Sequence, residues 1–270
     1  MKARKRFGQH FLTEQGVLNA IAAAVALQPA DAVFEIGPGH GALTEQLYVD
    51  GMSYLAVEID RDLIPHLKAR YPSIRLVNED ILGFDLNRLA ELAGENVRIV
   101  GNLPYNISSP LLIRLSAWVR EHSGTMRDGH FMLQREFAQR LCAGPGSKAW
   151  GRLSVMMQLT FEVELLFDVA PESFTPPPRV WSSIVRLVPT TKWSSLNLDE
   201  VQRINELTKK AFGGRRKKIT NALKDMNLDW QRVGVDAGAR ADDLSLQDFV
   251  KLARADQERE QGLGGENPGV

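Results

Sequence analysis

From residue 17 onward, short apolar segments alternate with longer segments whose apolar residues recur at helical spacing. Residues 32–36 are one such apolar segment, and a glycine-rich stretch joins them to an amphipathic segment. Short apolar strands that alternate with helices are typical of an α/β fold, in which a mainly parallel sheet carries helices on both faces. The pattern predicts strands over residues 32–36, 54–59, 74–77, 97–100 and 130–133, with helices over residues 17–27, 42–49, 61–70, 110–119 and 136–142.

Two later segments, residues 153–163 and 183–188, alternate or run apolar and are predicted to add strands at one edge of the sheet. At the other end of the domain, Thr13 is the predicted N-cap of the first helix, because its hydroxyl can accept from a backbone N–H of the first turn.

After Pro189 the apolar spacing becomes helical, over residues 199–212, 216–226 and 244–253. The last residues of the chain are polar and rich in glycine, a composition that buries too little apolar surface to order a segment. The predicted organisation is an α/β domain with a basic N-terminal segment over residues 1–190, a small all-α domain over 198–255 and a disordered tail over 256–270.

Composition excludes several classes of protein. The chain has 270 residues and 44% hydrophobic residues, enough for a large α/β domain and a smaller second one. With Cys142 as its single cysteine, it forms no internal disulfide and no cysteine-based metal cluster. No apolar run approaches the roughly 18 residues of a membrane span, and polar residues interrupt any signal peptide. We therefore expect a cytoplasmic protein with no membrane or metal partner.

The charges are balanced overall but not evenly distributed. Lysine and arginine together number 33, as do aspartate and glutamate, so the net charge gives no indication of a polyanionic partner. Two basic clusters contain no acidic residue, and such clusters orient a positive surface toward a partner. The clusters are Lys2, Arg4, Lys5 and Arg6 near the N-terminus, and Lys209, Lys210, Arg215, Arg216, Lys217 and Lys218 near the C-terminus.

The loop after the first strand of the α/β pattern, residues 35–41, carries three glycines, which let the backbone turn tightly and approach a ligand. Their G-x-G-x-G spacing fits the dinucleotide fingerprint poorly. Glu58, after the second strand, can accept from both hydroxyls of a ribose, in NAD and S-adenosylmethionine alike. Asp80, after the third strand, can accept from a cofactor's adenine amine while Ile81 packs against the ring. Each signal alone also suits an ordinary turn or helix cap, but together in successive loops they indicate S-adenosylmethionine.

The tetrapeptide Asn102-Leu103-Pro104-Tyr105 follows the fourth strand. The lone pair of an adenine amine is delocalised into the ring, so methylation at N6 needs acceptors that hold the amine hydrogens while the nitrogen pyramidalises. The Asn102 side-chain oxygen and the Pro104 carbonyl are the predicted pair, and Tyr105 offers a face on which an extruded base can stack. Catalysis would then consist of positioning and electrostatic preorganisation. The alternative is a proline turn with Tyr105 in the core.

With these residues in view, the sequence resembles the ribosomal RNA adenine dimethyltransferase family of the KsgA/RsmA type, from about Arg4 to Ala253. The resemblance implies a Rossmann-like methyltransferase domain with a small helical C-terminal domain. It also implies conversion of two adjacent adenosines near the 3′ end of small-subunit ribosomal RNA to N6,N6-dimethyladenosine, with a role in subunit biogenesis. The matching segments are residues 4–12, 35–41, 58–60, 78–80, 101–106, 131–134, 174–180 and 211–218.

Particular residues acquire roles from this resemblance. His10 stands where many relatives carry asparagine, and either side chain can donate to the carboxylate end of the cofactor. Phe174 is expected to supply a second aromatic to sandwich the target base, although an ordinary buried phenylalanine explains it almost as well. The residues expected to line the S-adenosylmethionine pocket are His10, Leu12, Gly37, Glu58, Asp80, Ile81 and Asn102. The residues expected to contact RNA phosphates are Arg4, Lys5, Arg6, Arg215, Arg216, Lys217 and Lys218.

Three alternatives stay open at this point: a macrolide-resistance methyltransferase of large-subunit RNA, a non-catalytic ribosome-assembly factor and, on fold grounds, a dehydrogenase. Residues 104–106, 174–179 and 211–218 favour the small-subunit enzyme, and the presence of Glu58, Asp80 and Asn102 favours catalysis. The expected partner is small-subunit ribosomal RNA within an immature subunit. We expect a monomer with no obligate protein partner.

Overall fold

The computed structural model describes residues 10–89, 96–226, 228–260 and 262, and they form two compact units. The first unit comprises the described residues up to Ala138 together with Phe161–Pro189. The second comprises Gln139–Thr160 and the described residues from Thr190 onward. The predicted single domain over residues 1–190 therefore needs correction, since 139–160 belong to the second unit. The reason is packing: Trp150, Val155 and Leu159 are buried in the apolar core of that unit.

Strands in the first unit form a seven-stranded sheet and a separate two-stranded one. The segments predicted over 32–36, 54–59, 74–77 and 97–100 each agree with a strand to within two residues at either end, and the segment over 130–133 lies inside a longer strand. The strands are β1 (Phe11–Leu12), β2 (Ala32–Ile36), β3 (Tyr54–Val57), β4 (Arg75–Val77), β5 (Val97–Asn102), β6 (Met126–Gln134), β7 (Phe161–Val169), β8 (Phe174–Thr175) and β9 (Ser182–Pro189).

The large sheet has the order β4-β3-β2-β5-β6-β9-β7. Strands β2 to β6 run parallel, whereas β9 runs antiparallel to both of its neighbours. Every residue of the central strand β2 is buried, which explains why all of its residues except Glu35 are apolar. Because β2, β3, β4 and β5 are parallel, their carboxyl ends meet at one edge of the sheet. In open α/β sheets ligands bind at this edge, at the point where the strand order reverses, which here lies between β2 and β5.

Helices cover the sheet as the apolar spacing predicts, with ends shifted by a few residues. The first helix begins at Gln15, and Glu14 rather than Thr13 caps it, because the Glu14 carboxylate accepts from the backbone N–H groups of Gly16 and Val17. The Thr13 hydroxyl instead donates to the Ser173 carbonyl. The helices that begin in this unit are α1 (Gln15–Val25), α2 (Ala42–Leu47), α3 (Ile64–Arg70), α4 (Ser108–Glu121) and α5 (Arg135–Cys142).

The other α-helices in the part of the chain that the structure describes belong to the second unit. The strand predicted over 183–188 is confirmed and lies within β9. The strand predicted over 153–163 is wrong in its first half, because residues 152–158 form a helix and β7 begins at Phe161. The helix predicted over 216–226 divides into a short α-helix and the 3₁₀ turn Lys224–Met226. The helices are α6 (Arg152–Gln158), α7 (Leu198–Gly213), α8 (Ile219–Ala222), α9 (Trp230–Val233) and α10 (Leu246–Glu260).

The predicted disordered tail begins too early. Helix α10 continues to Glu260, and Asp256 within it is 4% exposed, with ion pairs to Arg203 and Arg259 at 3.1 and 3.3 Å. Arg203 also pairs with Glu260 at 2.6 Å, so ion pairs link the end of α10 to α7. Residues 263–270 lie outside the described residues. Among the described helices, none is long and apolar enough to cross a membrane.

Candidate active site

A cavity of about 490 Å³ opens at the carboxyl edge of the parallel strands in the first unit. Its volume falls within the range of roughly 300–1,000 Å³ that is typical of small-molecule sites. The structure brings all the predicted cofactor and base residues of this unit together around it. These residues are His10, Leu12, Gly37, Glu58, Asp80, Ile81, Asn102, Pro104, Tyr105 and Phe174.

Two glycines leave room for backbone where a side chain would not fit. Gly39 has φ +60°, and a Cβ there would lie 3.1 Å from the ring of Phe11. Gly101, at the end of β5, would place a Cβ 2.8 Å from the Ile36 carbonyl oxygen of the neighbouring strand. A Cβ 2.8 Å from a backbone oxygen cannot be accommodated without a shift, so glycine is required at Gly101 for β5 to lie against β2, whereas at Gly39 it is the positive φ that favours glycine.

The Glu58 carboxylate joins the loops after β2 and β3. It is 4% exposed, and its two oxygens accept from the N–H groups of Gly39 at 3.0 Å and Asp60 at 2.8 Å. Burial raises the pKa of Glu58, and the nearby Asp60 charge adds to this rise. A carboxylate has about four acceptor positions, so two backbone donors leave capacity for two ligand hydroxyls.

Glu35 forms a buried support beneath this loop, which the sequence pattern does not predict. One of its oxygens accepts from the Thr44 hydroxyl at 2.6 Å and the Tyr54 hydroxyl at 2.7 Å, which ties β2 to α2 and β3. Burial raises the pKa of Glu35 to about 7, and the Glu58 charge contributes to the same rise. The signal available in the sequence was a single acid inside an otherwise apolar strand.

Replacing Glu35 with glutamine is expected to remove a pH-dependent loss of stability. An unfolded Glu35 ionises near its ordinary pKa of 4.5, whereas the folded one keeps its proton up to about pH 7. Between these values the folded state holds more protons than the unfolded state, so stability falls as pH rises. The shift corresponds to roughly 3 kcal/mol. Because one oxygen accepts both hydroxyls, a glutamine oxygen can keep both bonds.

Urea unfolding at pH 5 and pH 8 measures this effect. The stability of Glu35→Gln relative to wild type should rise by about 3 kcal/mol between the two pH values. Glu162→Gln, on an exposed position of β7, is the matched control and should show no such trend. Parallel pH profiles for Glu35→Gln and wild type would show that Glu35 ionises normally in the folded protein.

Asp80 and Ile81 occupy the turn after β4. Asp80 is exposed, and one of its carboxylate oxygens accepts from the Leu82 N–H at 2.9 Å, as a turn residue does. Ile81 is 6% exposed and lines the cavity. The turn bond uses only part of the acceptor capacity of the carboxylate, so a ligand amine remains compatible with it.

Asn102 ends β5 with its side chain fixed by a hydrogen bond. Its Nδ2 donates to the His10 carbonyl at 2.9 Å, which turns Oδ1 to the opposite side of the amide. Neither Asn102 Oδ1 nor the Leu103 carbonyl receives a hydrogen bond from the residues that the structure describes. Both residues line the cavity. The end of β5 therefore offers two acceptors from adjacent residues.

The Pro104 carbonyl does not suit the acceptor role that the sequence suggests. It accepts from the Ile107 N–H at 3.0 Å and the Ser108 hydroxyl at 3.1 Å, in the turn that leads into α4. A carbonyl oxygen has two lone pairs, and both are used here. The carbonyl of Leu103 therefore replaces that of Pro104 as the candidate partner of Asn102.

Aromatic residues and His10 form another part of the wall. The Tyr105 hydroxyl lies 3.3 Å from Ser182 Oγ, and its ring centroid is 6.2 Å from that of His10. Phe174 is 4% exposed and pairs with Leu12 through the β1–β8 ladder, which links segments far apart in the chain.

His10 is fixed by a hydrogen bond between its Nδ1 and the Pro176 carbonyl at 2.7 Å. Since a carbonyl only accepts, Nδ1 carries the proton, and Nε2 of a neutral ring is an acceptor. Donation from Nε2 to a ligand carboxylate, as the sequence suggests, therefore requires the doubly protonated ring.

His130, on β6, also lines the cavity and has no counterpart in the sequence prediction. The side chain is buried 3.6 Å from Asp128, and burial lowers its pKa to about 4. It therefore presents a neutral imidazole to the cavity near pH 7.

Of the predicted phosphate-binding residues, those that the structure describes do not line the cavity. Arg4, Lys5 and Arg6 are outside the described residues. The remaining four belong to the second unit, where Arg216, Lys217 and Lys218 are exposed.

Arg215 differs from its basic neighbours. It donates to the carbonyls of Lys148 and Trp150, both at 2.7 Å, and pairs with Asp242 at 3.5 Å. Its guanidinium therefore stabilises the folded unit. The exposed cations of the C-terminal basic cluster, which are available to a polyanion, are Lys209, Lys210, Arg216, Lys217 and Lys218.

The sequence of the chain matches a known protein family over nearly its whole length. The family model described as ribosomal RNA adenine dimethylase matches residues 1–257. The ribosomal RNA small subunit methyltransferase A of Methylococcus capsulatus is 47% identical over 257 residues, which cover 93% of this chain and 96% of that protein.

Two solved structures resemble the chain over nearly its whole length. A dimethyladenosine transferase from Plasmodium falciparum has a TM-score of 0.75 at 26% identity and covers 94% of this chain and 98% of its own. The 23S rRNA methyltransferase ErmE has a TM-score of 0.68 at 27% identity and covers 92% and 99%, respectively.

These comparisons confirm the predicted Rossmann-like methyltransferase fold and S-adenosylmethionine as the methyl donor. A dehydrogenase is thereby excluded, in agreement with the G-x-G-x-G spacing. The family model and the match to the Methylococcus capsulatus protein each span more than nine tenths of the chain. The chain belongs to the ribosomal RNA adenine dimethylase family.

Proposed function

We propose that the chain transfers methyl groups from S-adenosylmethionine to N6 of adenosines in small-subunit ribosomal RNA. The observation that carries the proposal is the pair of available acceptors, Asn102 Oδ1 and the Leu103 carbonyl, beside the glycine-rich loop in one cavity. The Methylococcus relative supports the small subunit as the source of the RNA. The products would be two adjacent N6,N6-dimethyladenosines near the 3′ end of that RNA.

The cavity residues fit the methyl donor. Glu58 would accept from the ribose hydroxyls with the acceptor capacity that Gly39 and Asp60 leave free. Asp80 would accept from the adenine amine, and Ile81 would pack against the ring. Gly37 and Leu12 would line the remaining wall, and a protonated His10 would donate to the carboxylate end. When bound, S-adenosylmethionine supplies a sulfonium methyl group that is already activated.

The chain itself would hold the target amine. In the first transfer, Asn102 Oδ1 and the Leu103 carbonyl would each accept one amine hydrogen, so that the nitrogen pyramidalises with its lone pair toward the methyl group. In the second transfer, one of these acceptors would hold the single hydrogen that remains. The proton becomes acidic only as the new bond forms, so no strong base is required. Tyr105 and Phe174 would stack on the extruded base and offset the cost of unstacking, about a few kcal/mol.

The proposed substrate also implies where the enzyme acts and with which partner. An immature small subunit would be the partner and would place the enzyme in the cytoplasm, where it has a role in subunit biogenesis. We propose that the enzyme acts as a monomer without an obligate protein partner, because the cofactor and base residues all come from one unit of one chain.

Methyl transfer from labelled S-adenosylmethionine to small subunits that lack the modification, followed by digestion to nucleosides, tests the proposal. Label in N6,N6-dimethyladenosine of the small-subunit RNA is expected. The similarity to ErmE makes large-subunit RNA the matched alternative substrate. Label in large-subunit RNA alone would overturn the proposal, and no label despite cofactor binding would indicate a role in assembly without catalysis.

The basic cluster should contribute a salt-dependent share of RNA affinity. Replacing Arg216, Lys217 and Lys218 together with alanine is expected to reduce the slope of log affinity against log salt by about 2, since each phosphate contact to a single strand contributes about 0.7. Filter binding over a range of salt concentrations measures the slope.

The control for this variant is Arg215→Ala. Loss of its bonds to Lys148 and Trp150 should lower thermal stability and leave the salt slope nearly unchanged. An unchanged slope in the triple variant would show that the cluster faces away from the RNA.

A further inference from the structure

An arginine on α4 holds the turn that carries Asp80 and Ile81. One terminal nitrogen of the Arg114 guanidinium donates to the Ile81 carbonyl at 2.9 Å and the Leu82 carbonyl at 3.1 Å. The other terminal nitrogen donates to the Phe84 carbonyl. An arginine presents its donors in a rigid planar fork, so three bonds from one side chain fix the orientation of the turn as well as its place. The turn after β4 therefore depends on a helix that follows it in the chain.

The core anchors the far end of this turn but not Asp80. Phe84 is fully buried and stacks on Phe34 of β2, with ring centroids 5.5 Å apart. Asp80, in contrast, is exposed. An exposed carboxylate gains nothing from apolar burial, so polar contacts must set its orientation.

One peptide group links Arg114 to the Asp80 carboxylate. The Ile81 carbonyl and the Leu82 N–H belong to the same peptide group, which is planar. Its carbonyl accepts from Arg114, and its N–H donates to Asp80 Oδ1 at 2.9 Å. Hydrogen bonds in such a chain polarise and strengthen one another. Arg114 therefore orients the peptide group that in turn orients the carboxylate.

The helix that carries Arg114 begins at the other half of the site. Helix α4 starts at Ser108, whose hydroxyl donates to the Pro104 carbonyl in the turn after β5. Arg114 lies about two helical turns further along. The turn that would hold the cofactor's adenine and the segment that would hold the target amine are thus attached to one rigid element.

We propose that Arg114 is a positioning residue for the cofactor: it holds the turn after β4 so that Asp80 accepts from the adenine amine of S-adenosylmethionine. The inference rests on the proposed function and deepens it by naming the residue on which selection of that amine depends. Glu58 is held differently, by the backbone N–H groups of Gly39 and Asp60. Loss of Arg114 therefore affects recognition of the adenine amine and leaves recognition of the ribose unchanged.

The test compares ligands that differ in one group. S-adenosylhomocysteine, its analogue with hydrogen in place of the N6 amine, and its 2′-deoxy form are titrated calorimetrically into full-length wild type and Arg114→Met. Methionine keeps much of the apolar stem of arginine without the donors. Arg75→Met is the matched control, because Arg75 is exposed on β4, the strand that leads into the same turn.

Wild type should prefer the ligand with the amine roughly tenfold to a hundredfold, the factor expected for one hydrogen bond to a charged group. Arg114→Met should lose most of this preference, because its affinity for the amine form falls while its affinity for the form without the amine stays near wild type. Its preference for ribose over deoxyribose should stay unchanged, as should both preferences of Arg75→Met. In an Asp80→Asn background, Arg114→Met should change the amine preference little further, since both changes act on one contact.

A full amine preference in Arg114→Met would overturn the inference. Equal weakening of all three ligands would also overturn it, because that result indicates a role in the fold alone. If Arg114→Met does not fold, the same titrations on Arg114→Lys decide. Its single nitrogen must serve the carbonyls that the arginine fork reaches together, so the amine preference should fall partway, and a full preference would overturn the inference.

Failure of the proposed function is a separate outcome. These titrations contain no RNA, whereas that failure would appear as the absence of methylated adenosine in small-subunit RNA. A wild type that shows no preference for the amine would overturn the Asp80 contact and the role of Arg114 with it.

Discussion

Replacing Asn102 with alanine is expected to lower the rate of methyl transfer by about a hundredfold to a thousandfold, the range measured when one preorganised polar group is removed from an active site. The physical reason is the loss of one of the two acceptors that hold the target amine. The Leu103 carbonyl alone cannot fix both amine hydrogens, so the nitrogen lone pair stays delocalised in the ring. Affinity for S-adenosylmethionine should fall much less, because Glu58 and the glycine-rich loop are unchanged.

Single-turnover transfer with saturating cofactor and RNA measures the chemical step of this variant, and calorimetry measures cofactor binding. Asn19→Ala is a matched control, because Asn19 is an exposed asparagine on α1 whose side chain accepts from Gln15. It should transfer methyl groups at the wild-type rate. A rate near wild type for Asn102→Ala would mean that the amine is held by other groups, and the acceptor-pair mechanism would be wrong.

The sequence predicts most of the cofactor loops because each depends on residues that are close in the chain. Gly37 and Gly39, Glu58, and Asp80 each follow a short apolar strand, and parallel strands bring their carboxyl ends to one edge. Knowing the strands is therefore enough to bring these residues together. Their presence around one cavity follows from the sheet topology.

What the sequence does not predict depends on contacts between distant segments. The β1–β8 ladder joins Leu12 to Phe174, and nothing in two short strands indicates their partner. The same holds for the Asn102 bond to the His10 carbonyl, which selects the orientation of the amide. The Pro104 carbonyl is not available as the second acceptor, because the turn into α4 uses that oxygen for the Ile107 N–H and the Ser108 hydroxyl.

The boundary between the units was missed for a related reason. Residues 152–158 have an apolar spacing that suits either a strand or a helix, since short apolar runs do not distinguish the two. Their environment decides: Val155 and Leu159 are buried in the helical unit, one turn apart. Tertiary packing thus assigns this segment to a unit that lies mainly after it in the chain.

Replacing Glu58 with glutamine is expected to lower affinity for S-adenosylmethionine by roughly tenfold to a hundredfold, which corresponds to the loss of about 1.5–3 kcal/mol from a hydrogen bond to a charged group. Both carboxylate oxygens already accept from backbone N–H groups, of Gly39 and Asp60. A glutamine must therefore turn its NH₂ toward one of these donors. The substitution thus disturbs the loop as well as the ribose contact, although the shape of the side chain is preserved.

A cofactor analogue separates these two effects of the Glu58 substitution. S-adenosylhomocysteine and its 2′-deoxy form are titrated into wild type and Glu58→Gln, and wild type should prefer the ribose form while the variant discriminates far less. Glu79→Gln is the control, because Glu79 also lines the cavity but its carboxylate pairs with Arg88 at 3.2 Å. If the variant kept the full preference for the hydroxyl, Glu58 would support the loop through Gly39 and Asp60 alone, and the ribose would be held by another group.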